Sequence, residues 1–295
     1  MAKETKKTAP KANKVETTGH VWDGIEEYNN PLPRWWVWVF LACIVFAIGY
    51  CVYYPSWPTA NGFLRGTAGW SQYKQLADRQ AEADAAKAPF EAKIAQMTPA
   101  QIAADPELRP YAVASGKAAF AINCSQCHGA GSAGAKGYPN LLDDEWLYGG
   151  TLDDIYTTIT HGIRSKDDDE TRDMGPMPAF GRDEMLTKEE IFNVIAYVRS
   201  LSNKALPGSS AIDEGKTIFA DNCASCHNDG GIGNRELGAP PLNNAIWLYG
   251  GDGKTLAETL HGGRGGVMPA FSKRLDAGTI KKLAVYVHSL GGGEE

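Results

Sequence analysis

The feature that most restricts how this chain can fold is a pentapeptide that occurs twice. Cys124-Ser-Gln-Cys127-His128 recurs 99 residues later as Cys223-Ala-Ser-Cys226-His227. Its surroundings recur in the same order. Trp146-Leu-Tyr-Gly-Gly150 returns as Trp247-Leu-Tyr-Gly-Gly251, His161-Gly162 as His261-Gly262, Met177-Pro-Ala-Phe180 as Met268-Pro-Ala-Phe271, and Tyr197-Val198 as Tyr286-Val287. Most spacings agree within one or two residues, but the first copy carries nine extra between Gly162 and Met177, including Asp167, Asp168, Asp169 and Glu170. Two copies make a tandem duplication, because a solenoid needs at least three short units.

Two thiols three positions apart, followed directly by an imidazole, match the signature for covalent attachment of a c-type haem. The sulfurs bond the two vinyl-derived positions on one edge of the macrocycle, and the adjacent imidazole falls beneath the iron. Cys124, Cys127 and His128 are therefore candidates to hold one haem, and Cys223, Cys226 and His227 a second. Zinc held by four thiolates would bring the second pair within about 15–20 residues, and a thioredoxin-like pair would need a βαβ context. Disulfides across such tight loops would leave the two histidines unexplained.

The opposite axial ligand must be presented by a loop. Met177 and Met268 each head a Met-Pro-Ala-Phe segment, 49 and 41 residues after the preceding pentapeptide histidine. The proline resists helix at the methionine, and sulfur opposite nitrogen raises the reduction potential. Met174 rivals Met177 but has no counterpart in the second copy. His161 and His261 recur and are rival sixth ligands, or else hydrogen-bonding or plain helical residues. Pro139-Asn-Leu141 and Pro240-Pro-Leu242 offer a carbonyl for the free nitrogen of each proximal imidazole, while Trp146 and Trp247 read as haem-packing aromatics.

Trp35–Tyr54 is a run of 20 positions without a charge. As a helix it reaches across the roughly 30 Å hydrocarbon layer. Trp35, Trp36 and Trp38 at one end and Tyr50, Tyr53, Tyr54 and Trp57 at the other suit the two headgroup levels. A cleavable signal peptide fits poorly, since 34 residues precede the run and no small-x-small site follows it. Lys3, Lys6, Lys7, Lys11, Lys14 and Arg34 lie before it, against only Arg65 and Lys74 in the 20 residues after it. That asymmetry places the N-terminus in the cytoplasm and everything beyond residue 55 outside. Cys43 and Cys51 read as small apolar packing residues. A net charge of −6 argues against nucleic acid as a partner.

Within the copies, Gly116 with Phe120 and Gly215 with Phe219 precede the pentapeptides at helical spacing. Thr187 with Glu190 makes a capping box for a helix to about Leu201, and Asp276–Leu290 is its counterpart. Gly69–Met97 is rich in Ala, Glu, Gln and Lys and reads as a helical spacer broken at Pro89, with Thr98-Pro-Ala-Gln101 as a fresh start. The expected fold is mostly α: a tail over 1–34, a transmembrane helix over 35–54, a spacer over 55–110, and two domains over 111–203 and 209–291.

Residues 111–291 resemble two class I cytochrome c domains in tandem. His20–Trp36 (HVWDGIEEYNNPLPRWW), with Asp23–Glu27 beside the anchor, is similar to the N-terminal signature of the dihaem subunits of cbb3-type cytochrome c oxidases. Some members of that family have two membrane spans where this chain has one. The resemblance implies two covalently bound c-type haems in an electron-entry module of the bacterial inner membrane, with the haem domains periplasmic. Electrons from a cytochrome c donor would reach a monohaem cytochrome c subunit and then the haem–copper catalytic subunit. Oxygen chemistry is not expected in this chain, since apart from His128 and His227 it has only four histidines. A stand-alone membrane-bound dihaem carrier is the alternative. A dihaem peroxidase is a third reading and would need one iron with a vacant position. The acidic stretch Asp167–Glu170 with Asp173 reads as a solvated loop or as a steering patch for a basic donor.

Overall fold

The computed structural model describes residues 16–202 and 209–295. The lysines at positions 3–14 and the join between the copies lie outside the described residues. The chain divides into two compact units, residues 1–84 and 85–295.

In the first unit, β1 (Thr17–Trp22) and β2 (Ile25–Tyr28) form an antiparallel hairpin in which Trp22 faces Ile25. The two residues between them, Asp23 and Gly24, both have positive φ, 48° and 85°. That is the loop twist that matches the twist of paired strands. Helix α1 (Arg34–Tyr53) begins after Pro33 and ends where Tyr54 turns extended ahead of Pro55. No residue of α1 is buried in the protein, and among the described residues it alone is long and apolar enough to cross a membrane. Past it, the short hairpin of β3 (Pro58–Thr59) and β4 (Gly62–Phe63) turns the chain back. Thr67 and Ala68 N–H then donate to the carbonyls of Val52 and Tyr53 at the end of α1, at 3.0 and 2.9 Å.

Helix α2 (Gln72–Gln96) runs through Pro89 without a break, contrary to the sequence expectation. Proline removes one N–H and its ring crowds the preceding turn. The turns beyond it are held by packing: Phe90 and Ile94 join a core with Ile102, Leu108, Ala112 and Val285. The last turns of the spacer are thus part of the second unit's interior, and Lys281 Nζ caps them by donating to Ile94 O and Ala95 O, each at 3.1 Å.

The rest of the second unit is α3 (Pro99–Ala104), α4 (Leu108–Asn123), α5 (Ser125–His128), α6 (Leu152–His161), α7 (Lys188–Leu201), α8 (Ser209–Asn222), α9 (Ala224–His227), α10 (Gly253–Gly262) and α11 (Ala277–His288). The helix starts follow the sequence closely. Thr98 and Thr187 form reciprocal capping boxes with Gln101 and Glu190, and Thr151, Asp252 and Asp276 cap α6, α10 and α11.

The packing departs from the expectation that residues 111–203 and 209–291 each close on themselves. One core joins Phe120, Ile155 and Ile159 of the first copy to Phe271, Ile280, Leu283, Tyr286 and Val287 of the second. The other joins Phe180, Ile191, Val194 and Tyr197 of the first to Phe219, Leu256 and Leu260 of the second. Each buried side chain of this size contributes about 1.5–3 kcal/mol, so both cores depend on both copies. The crossings are close: Phe120 meets Tyr286 at 5.5 Å between ring centroids, and Phe219 meets Tyr197 at 5.2 Å.

Candidate haem sites

Each pentapeptide sits where one helix stops and a single further turn starts. Cys124 N–H donates to Phe120 O (2.9 Å) as the last bond of α4, and Cys127 and His128 N–H donate back to Cys124 O (3.1 and 3.0 Å). In the second copy Cys223 N–H donates to Phe219 O (2.8 Å), and Cys226 and His227 N–H donate to Cys223 O (3.1 and 2.9 Å). This tight turn sets both cysteines and the histidine on one short stretch. A loop then leaves at Gly129 and Asn228, both at positive φ, and returns so that Gly134 and Gly233 N–H donate to the histidine carbonyls, each at 2.9 Å.

The returning loop ends on the proline. His128 Nδ1 lies 3.0 Å from Pro139 O, and His227 Nδ1 lies 2.9 Å from Pro240 O. A carbonyl can only accept, so Nδ1 carries the proton and Nε2 keeps a free lone pair. Burial holds both imidazoles below their ordinary pKa, against the opposing pull of the proline carbonyl, so both are neutral at neutral pH. Cys124 and Cys223 are pushed up to about 11, first by burial and then by the neighbouring Cys127 and Cys226.

Met268 packs on the core that carries Cys124, Leu141 and Trp146; Met177 packs on the core that carries Cys223, Leu242 and Trp247. The spacing along the chain suggests the opposite association, each methionine with the histidine before it. Met174 is 64% exposed and stands apart from either core. His161 is engaged elsewhere, with Nδ1 3.1 Å from Asp168 and Nε2 3.5 Å from Glu170. His261 is exposed and lies against Gly181. Trp146 Nε1 donates to Gly292 O and Trp247 Nε1 to Asn244 O, which fixes both rings. Gly150 and Gly251 lie so close to these indoles that a Cβ at either would strike the ring.

The acidic stretch is only partly solvated. Asp168 also accepts from Ser272 Oγ (3.2 Å), and Lys273 Nζ donates to Asp167 O, so the insertion is tied to the second copy's methionine loop.

Comparison with known proteins decides the family. The description "N-terminal domain of cytochrome oxidase-cbb3, FixP" matches residues 14–61, "Cytochrome c" matches 113–202, and "Cytochrome C oxidase, cbb3-type, subunit III" matches 210–287. The chain is 52% identical to the cbb3-type cytochrome c oxidase subunit FixP of Azorhizobium caulinodans, over 94% of each chain. It is 50% identical to the CcoP subunit of Cereibacter sphaeroides, over 98% of this chain and 99% of that one. The chain belongs to the CcoP/FixP family of cbb3-type oxidase subunits.

A CcoP/FixP chain is a cytochrome c subunit of an oxidase complex, and its cytochrome c domains imply covalently bound c-type haem. The residues suit that group. None of the six cysteines is in a disulfide, and each attachment pair has an imidazole beside it with Nε2 open. Buried polar atoms also lack partners within the protein: Ser132 Oγ, in the loop after His128, and Tyr148 Oη, packed against Gly238 in the loop after His227. Among the described residues no cluster of His, Cys, Asp or Glu offers a competing metal site.

Proposed function

We propose that this chain is the electron-entry subunit of its oxidase. It binds two c-type haems, one on Cys124 and Cys127 above His128, the other on Cys223 and Cys226 above His227, with Met177 and Met268 as the sulfur ligands. It takes electrons from a cytochrome c donor and delivers them to the monohaem cytochrome c subunit and the haem–copper catalytic subunit. Helix α1 anchors it in the bacterial inner membrane, with the N-terminus cytoplasmic and the haem domains periplasmic. Arg34 at the start of α1 and the lysines of the first 14 positions support that orientation.

The observation that carries the reading is the repeated pairing of imidazole and thioether. Each histidine commits Nδ1 to a proline carbonyl and leaves Nε2 for iron, and each core with an attachment cysteine also holds one repeated methionine. Bound there, a haem supplies a one-electron couple whose potential the sulfur raises. The chain's own part would be to hold each iron through an imidazole and a thioether, leaving no place for a substrate. Pro139 and Pro240 hold the ring planes, and the buried Phe120 and Phe219 exclude water beside the attachment turns. The anchor keeps the haem domains at high effective concentration near their acceptor.

The test is a carbon monoxide titration of the reduced, detergent-extracted protein, read at the c-type α-band, together with haem and metal analysis. A relay subunit leaves that band unmoved and brings b-type haem and copper with it. Rapid stoichiometric binding at a c-type haem would establish a vacant iron and favour a peroxidase. Extraction without b-type haem or copper would favour a stand-alone carrier.

A further inference from the structure

The uncharged run that begins at Trp35 does not stop where α1 stops. It continues to Leu64, 30 positions in all, and from there to Tyr73 the one charge is Arg65. The part beyond α1 folds back onto the helix end. A helix leaves its last four carbonyls without intrahelical partners, and here all four are met by the chain that follows. Tyr50 O accepts from Tyr54 N–H (2.8 Å), Cys51 O from Ser56 Oγ (2.7 Å), Val52 O from Thr67 N–H (3.0 Å) and Tyr53 O from Ala68 N–H (2.9 Å). Gly66 permits the return: its φ is 68°, and a Cβ there would strike Tyr53 O. Trp70 then meets Tyr54 edge to face, with ring centroids 5.9 Å apart. A helix end closed by its own chain needs no water to satisfy its backbone, which suits the margin of a hydrocarbon layer.

Between the two arms of this return stands the β3–β4 hairpin. Pro58 pairs with Phe63 and Thr59 with Gly62, and Trp57 O accepts from Leu64 N–H at 2.9 Å. Successive side chains on a strand point to opposite faces, so Trp57 and Leu64 share one face, and Pro58 and Phe63 the other. Trp57, Phe63 and Leu64 are nevertheless 60%, 58% and 53% exposed. An antiparallel pair in water keeps one face polar, whereas this one is apolar on both. Lipid closes around both faces at once; a protein surface covers one. The β1–β2 hairpin also exposes Trp22 and Ile25, but Glu16, Asp23, Glu26 and Glu27 lie in or beside it, and an anionic lipid surface repels such charges.

We propose that residues 55–70 form a foot seated in the phospholipid headgroup layer where α1 leaves the membrane. Trp57, Phe63 and Leu64 enter among the upper acyl carbons, and Arg65 serves the lipid phosphates. The proposal rests on α1 being a membrane span and adds a second lipid contact continuous with it. The tilt of a single span is set by its neighbours and its interfacial anchors. A foot tied to the helix end by backbone hydrogen bonds therefore fixes the depth and tilt of the anchor.

The test is photocrosslinking of the full chain, in the complex with which it purifies, reconstituted in vesicles of phosphatidylethanolamine and phosphatidylglycerol. Phe63→benzoylphenylalanine puts a light-activated group in the hairpin, and Phe46→benzoylphenylalanine puts the same group midway along α1. The foot predicts a mass gain of one phospholipid on the peptide that carries position 63. A crosslink from position 63 to another protein chain, or no product there while position 46 reacts, would overturn the foot and leave the span standing. No product at either position would remove the span as well. Should the Phe63 variant fail to assemble, Trp57→benzoylphenylalanine, on the hairpin's other face, must gain phospholipid by the same measure.

Discussion

Gly116 shows how much one missing Cβ decides. It lies in the middle of α4, where alanine would normally favour the helix by about 0.5–1 kcal/mol. Here the new carbon would meet the backbone carbonyl of Lys282 and the Cβ of Tyr286, neither of which can rotate away. Overpacking of that kind costs about 1–3 kcal/mol, so crowding outweighs propensity. Gly116→Ala should lower the urea midpoint of the full chain, whereas Gly262→Ala, with open space around its Cβ, should leave it unchanged or slightly raised. At this scale the sequence was informative about chemistry and silent about pairing. The Cys-x-x-Cys-His turns and the role of Pro139 and Pro240 follow from bonding rules that span a few residues. Which core each methionine joins does not, because both loops carry the same Met-Pro-Ala-Phe. What separates them is the space left beside α6 and α10, and that is a property of packing.

At the scale of elements, the helix starts were the most legible part, since a capping side chain and the amide it satisfies lie three residues apart. Asp276 holds α11 in this way, accepting from Thr279 N–H and Oγ1 at 2.9 and 2.6 Å. The Thr279 side-chain bond, foremost, keeps the Asp276 carboxyl below its usual pKa. A carboxyl depressed in the fold stabilises it at pH values above the unfolded pKa, near 4, and that contribution is lost as the pH falls through the lower folded value. Asp276→Asn keeps an acceptor for Thr279 but removes the titration. Its melting curves from pH 6 down to pH 3 should therefore show a shallower acid loss than the parent, and an equal loss would place the acid sensitivity elsewhere. Two elements are not legible in the sequence, for physical reasons. The β1–β2 hairpin carries its signal in the Asp23-Gly24 dipeptide and not in long alternating strands. The break at Pro89 would follow in an isolated helix, but Ile94, which is fully buried, fastens the turns beyond the proline to the core.

Across the whole molecule, the duplication predicted two domains and the packing gives two cores that are not the same as the two copies. The family matches over 113–202 and 210–287 follow the ancestry of the chain, while the cores at α4–α6–α11 and α7–α8–α10 follow its contacts. A repeat that contributes half of each core has no core of its own to retreat to. Guanidinium unfolding of the full chain should therefore take both cores apart in one coincident transition, followed by circular dichroism. Two well-separated transitions would mean that the cores stand independently.

The sharing of each core between the two copies also sets an order of events during manufacture. Because the chain is made N-terminus first, α4, the first pentapeptide and α6 are complete before α11 and the Met268 segment that close their core exist. Until those arrive, Phe120, Ile155 and Ile159 have no opposing apolar face and stay open to water. The nascent chain therefore passes through a half-open form that the finished one never shows.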